Sequence, residues 1–254
     1  MASPVLRPRS PSELVDVAFQ ILRAHYPQFL MCSALAYLPW LVVDLVRVGD
    51  PLQLDSINIT ANLLLALGWW LEFAFMSAVL LVCASQAFLG EPVDVVSAVR
   101  RTVSRAPLLL LGAALRFLMI IVGLFFFFFG ALYPAARFFA VTPAIVLEGA
   151  GLSAAFARST ELSKGRKWHI ILTMGLVFVI YLVLALGTMF VVGLIEIPLV
   201  QLMAMGVFSI VAYPIVAITA AVLYYDTRIK SEGLDIELMA GALDGAPSRE
   251  AAAP

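Results

Sequence analysis

Between residues 106 and 147 the chain is apolar almost without a break, and its charged residues there are Arg116 and Arg137. One helix over that run, rising 1.5 Å per residue, would be roughly twice as long as the about 30 Å hydrocarbon core of a bilayer. The run therefore predicts two membrane crossings. "GALYPAAR" in its middle offers Gly130, Pro134 and Arg137 as the turn between them.

The remainder of the chain points to the same solvent. Hydrophobic residues make up 63% of the sequence and charged residues 13%, with a mean hydropathy of +1.01, which excludes an ordinary soluble domain. Strands alternating between an apolar and a polar face are absent from the pattern, so a transmembrane barrel is not expected. Helical spans are expected over residues 26–48, 60–89, 106–129, 132–147, 168–195 and 198–225. Residues 1–26 carry no compact apolar stretch ending in a small-residue cleavage site, so the first span is expected to direct the chain to the membrane. Cys32 and Cys83 fall within spans, where packing as small hydrophobes is expected rather than a disulfide or a metal site.

Charge position sets the expected orientation. Arg7, Arg9 and Arg23 precede the first span, Arg100, Arg101 and Arg105 follow the second, Arg158, Lys164, Arg166 and Lys167 follow the fourth, and Arg228, Lys230 and Arg249 follow the last. The positive-inside rule puts these segments in the cytoplasm. The segments with Asp44, Asp50 and Asp55 and with Glu196 and Pro198 then face outward. Six spans with both termini cytoplasmic satisfy this pattern, and a bacterial inner membrane is the expected location. Tyr26, Trp168, Tyr224 and Tyr225 would lie in the inner aromatic belt.

Three segments at that inner boundary read as amphipathic helices lying on the membrane surface. In "SPSELVDVAFQILRAHYP", Ser10, Pro11 and Glu13 make an N-terminal capping box, and Leu14, Ala18, Ile21 and Leu22 form one face. In "EPVDVVSAVRRTVSRAP", Val96, Val99 and Val103 oppose Asp94, Arg101 and Arg105. In "EGAGLSAAFARSTELSKGRKW", Leu152, Ala155, Phe156 and Leu162 oppose Arg158, Glu161 and Lys164. Ala18 precedes Pro27 by the same interval as Ala98 precedes Pro107. An internal repeat is inferred, with three units that each comprise a surface helix and a membrane hairpin. The fold class expected is thus an all-α integral membrane protein of six transmembrane helices, forming a single domain over residues 1–238. Residues 239–254 are read as a disordered cytoplasmic tail.

Two stretches carry a family resemblance. They are "PAIVLEGAGLSAAFARSTELSKGRKWHIIL", with Pro143, Glu148, Ala155, Arg158, Ser159, Leu162, Gly165 and Trp168, and "LYYDTRIKSEGLDIELM", with Tyr225, Asp226, Arg228, Glu232, Gly233 and Asp235. Together they resemble a bacterial and archaeal family of six-span membrane proteins of unknown function. That family is related to the membrane domain of some glycerophosphoryl diester phosphodiesterases. The resemblance runs from about Arg7 to Leu238. It implies no catalytic activity, because the chemistry of the fused enzymes belongs to a separate soluble barrel.

The residues give no other sign of an enzyme. Phosphodiester hydrolysis needs carboxylates and histidines gathered around a metal, and the histidines here are His25 and His169, each beside an interfacial aromatic. No metal, cofactor or nucleic-acid partner is expected. Glu72 and Arg116 are the informative ionisable residues, since a charge near the bilayer centre costs at least about 2.5–3.5 kcal/mol and faces a partner or a wet cavity. Both fall near mid-depth, and they are expected to pair, either to fix helix register or to line a polar pathway. Gly175, Gly187, Gly193 and Gly206, with Ala217 and Ala221, are expected to allow close helix packing. Glu148 is expected to meet Arg158 or Lys164. "YYDTRIKSEGLD" is read either as a solvated tail or as a clasp over the basic face.

These features lead to a non-catalytic scaffold or accessory subunit. Its lipid-headgroup surface would comprise Arg100, Arg101, Arg105, Arg158, Lys164, Arg166, Lys167 and Arg228. Its expected partners are the bilayer, anionic lipid headgroups, and a protein partner or a second copy. The alternative is a transporter, channel or lipid-handling protein with a polar site around Glu72 and Arg116. A cavity reaching Glu72 would favour the alternative; a tightly packed centre would favour the scaffold.

Overall fold

Local signals start the helices. The computed structural model describes residues 9–48, 59–125 and 127–232, and in it Ser10 Oγ accepts the Glu13 amide while the Glu13 carboxylate accepts the Ser10 amide at 2.8 Å. That reciprocal cap, worth about 1 kcal/mol, opens α1 (Pro11–Ala24) with proline in its first turn. Leu14, Val15, Ala18, Ile21 and Leu22 are buried, whereas Ser12, Asp16, Gln20 and Arg23 are exposed. A single residue, His25, joins α1 to α2 (Tyr26–Val48). Next comes α3 (Ile59–Leu89). Asp94 then caps α4 (Val95–Ser104) by accepting the amides of Val96 and Ser97, and Arg105 alone links it to α5 (Ala106–Leu124).

The next element departs from the expected turn. The chain reverses at Phe125, and the stretch from Gly130 to Arg137 belongs to α6 (Phe127–Arg137). The cause is a backbone contact. A Cβ on Gly123 would stand 2.5 Å from the Gly130 carbonyl oxygen, so glycine at 123 lets α5 and α6 touch at that point. The helix breaks later, at residues 138–140, before α7 (Val141–Leu147). Pro143 explains the position: it cannot donate to Phe139, and its ring crowds that carbonyl. It was Pro143, not Pro134, that carried the breaking signal.

Three residues after α8 (Leu152–Ser163), α9 (Lys167–Gly193) begins, followed by α10 (Pro198–Glu232). The last helix continues seven residues past the expected end at 225. Among the described residues every regular element is a helix, and five stretches are long and apolar enough to cross a membrane: Asn62–Leu89, Ala106–Leu124, Gly130–Leu147, Lys167–Gly193 and Pro198–Glu232. This is the character of an integral membrane protein. α2 is not among the five. Arg7, Asp50, Asp55, Gly233, Asp235 and residues 239–254, with Arg249 among them, lie outside the described residues.

Burial is concentrated at the end carrying the short helices. Residues 78–85 of α3 and 221–227 of α10 are buried without exception, against Leu14, Phe29, Phe88, Ile145, Leu162 and Ile170. Cys32 and Cys83 are free thiols within this core. Of the glycines expected at helix contacts, Gly206 makes one: its Cβ would come within 2.6 Å of the Tyr37 ring, so α2 and α10 meet there. Gly175, Gly187 and Gly193 face open space. On α4 the three valines share a side as their spacing predicts, but that side points away from the protein, and Ala98 and Thr102 fill the packed face.

Candidate functional site

Four charges close a ring at the short-helix end. Arg158 grips the Glu148 carboxylate with two nitrogens, Nε at 3.0 Å from Oε2 and Nη2 at 3.0 Å from Oε1. Its Nη1 pairs with Glu232 at the end of α10. Arg228, one turn earlier on α10, donates to Glu232 at 3.0 Å and stands 3.6 Å from Glu148. Tyr224 donates its hydroxyl to Glu148, and the Arg228 guanidinium lies 5.9 Å from the Tyr224 ring centre. Each carboxylate thus faces both arginines, and the bidentate geometry makes the Arg158 bonds the strong ones. Burial disfavours the charged form of Glu148, but the hydrogen bonds from Arg158 and Tyr224 and the charges of Arg158 and Arg228 hold its carboxyl below the usual range. The bond to Glu148 pushes the Arg158 guanidinium higher still.

A second cluster ties the first described residue to the last helix. Asp226 has no exposed surface; its Oδ1 accepts the Arg9 amide at 2.9 Å and its Oδ2 accepts Lys230 Nζ at 2.7 Å. His169 Nε2 lies 2.9 Å from the same carboxylate and 3.1 Å from Lys230 Nζ. Lys230 also donates to the Arg9 carbonyl at 2.7 Å. Asp226 and Lys230 thus hold each other, His169 and the backbone of Arg9 together. Next to this cluster, Tyr225 shares a 2.5 Å hydrogen bond with Ser85 and stacks on Phe88.

Ser159 has a task that sequence reasoning did not assign. Its buried hydroxyl donates to the Arg137 carbonyl at 2.9 Å and accepts the Ala140 amide at 3.0 Å, satisfying backbone groups freed by the break between α6 and α7. Arginines do the same at the far end of α7. Arg101 donates to the Leu147 carbonyl at 2.6 Å and Arg105 to the Gly149 carbonyl at 2.8 Å, cations placed where a helix ends in unpaired carbonyls. Gly149 has φ +71°, and a Cβ there would lie 3.0 Å from the Arg105 guanidinium.

These bonds occupy several of the arginines expected on the lipid surface. Arg101, Arg105, Arg158 and Arg228 donate to the protein's own carbonyls and carboxylates, with Arg101 still exposed, and Arg166 donates to the Lys230 carbonyl at 2.5 Å. Arg100 and Lys164 are exposed and Lys167 is half-buried. Lys164 and Lys167 open onto a groove of about 1010 Å³ between α5, α6, α8 and α9, with Leu115, Met119 and Phe156 among its apolar walls. Arg137, read from the sequence only as a turn residue, completes the basic side. It donates to Thr160 at 3.3 Å, while Tyr133 receives the Arg137 guanidinium at 6.0 Å and Lys167 Nζ at 5.1 Å from its ring centre. Among the described residues none of these three cations pairs with a carboxylate. Glu161 at the groove edge leans instead toward Arg158, at 3.9 Å. Trp168, the next residue after Lys167, is exposed.

Deeper in the bundle, the expected Glu72–Arg116 pair is not formed: no ion pair or hydrogen bond joins them among the described residues. The two share a depth but not a face. α3 meets α5 through Trp70, whose ring lies 6.2 Å from that of Phe117, and Glu72 is about 200° further round the helix at 100° per residue. It opens into a cavity of about 470 Å³ bounded by α2, α3, α9 and α10, with Ser33, Tyr37, Asn62, Tyr181 and Tyr213 also on its walls. Among the described residues no group of three or more His, Cys, Asp or Glu side chains is placed to hold a metal ion.

Compared with protein-family models, curated proteins and solved structures, the chain matches none of them.

Proposed function

We propose that this protein is a non-catalytic, six-span membrane protein that engages anionic lipid headgroups at the groove lined by Arg137, Lys164 and Lys167. The observation that carries the proposal is that three cations without carboxylate partners border one groove with apolar walls. A lipid phosphate could meet the cations while its acyl chains follow the apolar wall, and each basic residue near an anionic surface contributes about 1 kcal/mol. In this reading α2, at 23 residues, is the sixth span. α1, α4 and α8 lie along the cytoplasmic surface as amphipathic helices at the start of three repeated units. The outward valines of α4 are then in contact with lipid. Both termini are cytoplasmic, and the membrane is a bacterial inner membrane. The relation to the membrane domain of glycerophosphoryl diester phosphodiesterases rests on the motif residues alone, of which Glu148, Arg158, Asp226, Arg228 and Glu232 form the two charge clusters.

The test is lipid retention by the full chain released into neutral detergent, read by native mass spectrometry. The expected result is stoichiometric phosphatidylglycerol, and at least tenfold less in a variant carrying Arg137→Gln, Lys164→Gln and Lys167→Gln. Equal retention by the variant refutes the proposal. Cysteine labelling from either side of the membrane, at engineered sites after α2 and after α9, tests the orientation.

A second reading, transport or lipid handling through the membrane interior, is favoured by the cavity at Glu72.

A further inference from the structure

The cavity at Glu72 has the chemistry of a binding site, and its parts are not explained by packing. Glu72 sits about 20 Å along α3 from Ile59 and about 25 Å from Leu89, so it lies well within the length expected to be membrane-embedded. A carboxylate at such depth ordinarily has a partner. Glu72 has no hydrogen bond and no ion pair among the described residues, and Arg116 faces elsewhere. Ser33 adds an independent observation: it is 4% exposed, borders the same cavity, and its Oγ has no hydrogen-bond partner. A buried hydroxyl left unsatisfied costs roughly 1–3 kcal/mol. Two polar groups facing one space are therefore both unsatisfied.

The walls identify what would satisfy them. Trp69 stacks on Phe73 at 5.7 Å between ring centres, and Phe73 meets Tyr213 edge-on at 5.2 Å, so three rings make one continuous side; Tyr37 and Tyr181 contribute two more. Among the described residues Glu72 is the one charged side chain on the lining, which disfavours an anion. An apolar ligand would leave Glu72 and Ser33 uncompensated. A small inorganic cation is held tightly by several oxygens gathered at short range, whereas Glu72 is the one carboxylate among the described lining residues, and about 470 Å³ is the size of an organic ligand's site. Aromatic rings around a carboxylate attract an organic ammonium through both its charge and its alkyl surface. Trp69 and Phe73 line the cavity and are both exposed, and in the six-span reading their exposed surface faces lipid, which puts the way in on that side.

We propose that this cavity binds a lipophilic organic ammonium ion entering laterally from the bilayer, with Glu72 as its counter-ion and Ser33 as a polar contact. The site is separate from the basic groove and does not depend on it.

Equilibrium dialysis of radiolabelled dodecylammonium, whose N–H groups can donate to both Glu72 and Ser33, against the full chain in dodecyl maltoside, corrected for empty micelles, tests the proposal. Saturable binding at one site is expected, displaced by the unlabelled ion and not by dodecanol, and weakened at least tenfold by Glu72→Gln. Trp69→Leu is expected to weaken it about fivefold. Because Trp69 is exposed, that variant decides the matter if Glu72→Gln does not fold. Absence of saturable binding, or equal binding by the wild type and the folded variants, overturns the proposal. Displacement by millimolar sodium would also overturn it, in favour of an inorganic cation site.

Discussion

The two ends of the helical bundle are built to different standards. At the end carrying α1, α4 and α8, two clusters of charged side chains are closed, the stretches at 78–85 and 221–227 have no exposed residue, and single-residue links hold α1 and α4 to the helices that follow them, although His25 Nδ1 and Gln28 Oε1 are buried there without a hydrogen-bond partner. At the opposite end, Leu63, Leu64 and Leu67 on α3 and Leu199, Val200 and Met203 on α10 are exposed, and the cavity with its unpaired carboxylate opens among the same helices. The same two helices, α3 and α10, belong to both ends, so the difference does not come from a change of partner. It comes from where small residues and charge pairs fall. α10 carries Ala217 and Ala221 followed by Asp226, Arg228 and Lys230 toward one end, and large exposed apolar side chains toward the other. One end is a fixed base; the other has room for a ligand.

Substitutions at the base should therefore cost most. Asp226→Ala removes a fully buried carboxylate and leaves Lys230 without its partner, so a loss of about 3–5 kcal/mol is expected in unfolding from detergent. Gly149→Ala should cost about 1–3 kcal/mol, since it strains a left-handed backbone and presses on Arg105; a comparable loss in Arg105→Ala would show that the carbonyl cap is the interaction at stake. Glu148→Gln breaks a half-exposed ring and should cost roughly 2 kcal/mol, between the values for exposed and buried pairs.

The same ring predicts a pH dependence with a definite sign. The Glu148 carboxyl titrates below its unfolded value, so its contribution is complete above about pH 4.3 and is lost as the pH falls through the lowered folded value. Wild-type thermal stability should thus fall with acidification over that range, and Glu148→Gln should flatten the fall. The smallest effect belongs to the open end: Leu63→Ala or Leu64→Ala should change stability by no more than about 0.5 kcal/mol, and a larger loss at either would mean that this end is packed after all.

Much of the base was legible in the sequence. Ser10, Pro11 and Glu13 announce α1 because capping is a matter of a few neighbouring residues, and the contact between Glu148 and Arg158 spans only ten. The α5–α6 reversal was not legible, because it depends on Gly123 meeting Gly130 across a phenylalanine run with no turn residues of its own. Depth could be counted for Glu72 and Arg116, but helix azimuth could not, and azimuth separates them. The partners of Arg101 and Arg105 were hidden for a related reason: the carbonyls at the end of α7 that they meet lie more than 40 positions away in the chain.

α10 packs against α1, α2, α3, α8 and α9, and it supplies Asp226 to the amide of Arg9, 217 positions earlier. It is also the last of the described helices to leave the ribosome. The surfaces of the earlier helices that α10 covers stay bare until residues near 230 have been synthesised. The assembly is completed by its newest part, and a chain cut short before Asp226 would leave α1 without the acceptor that holds its leading segment.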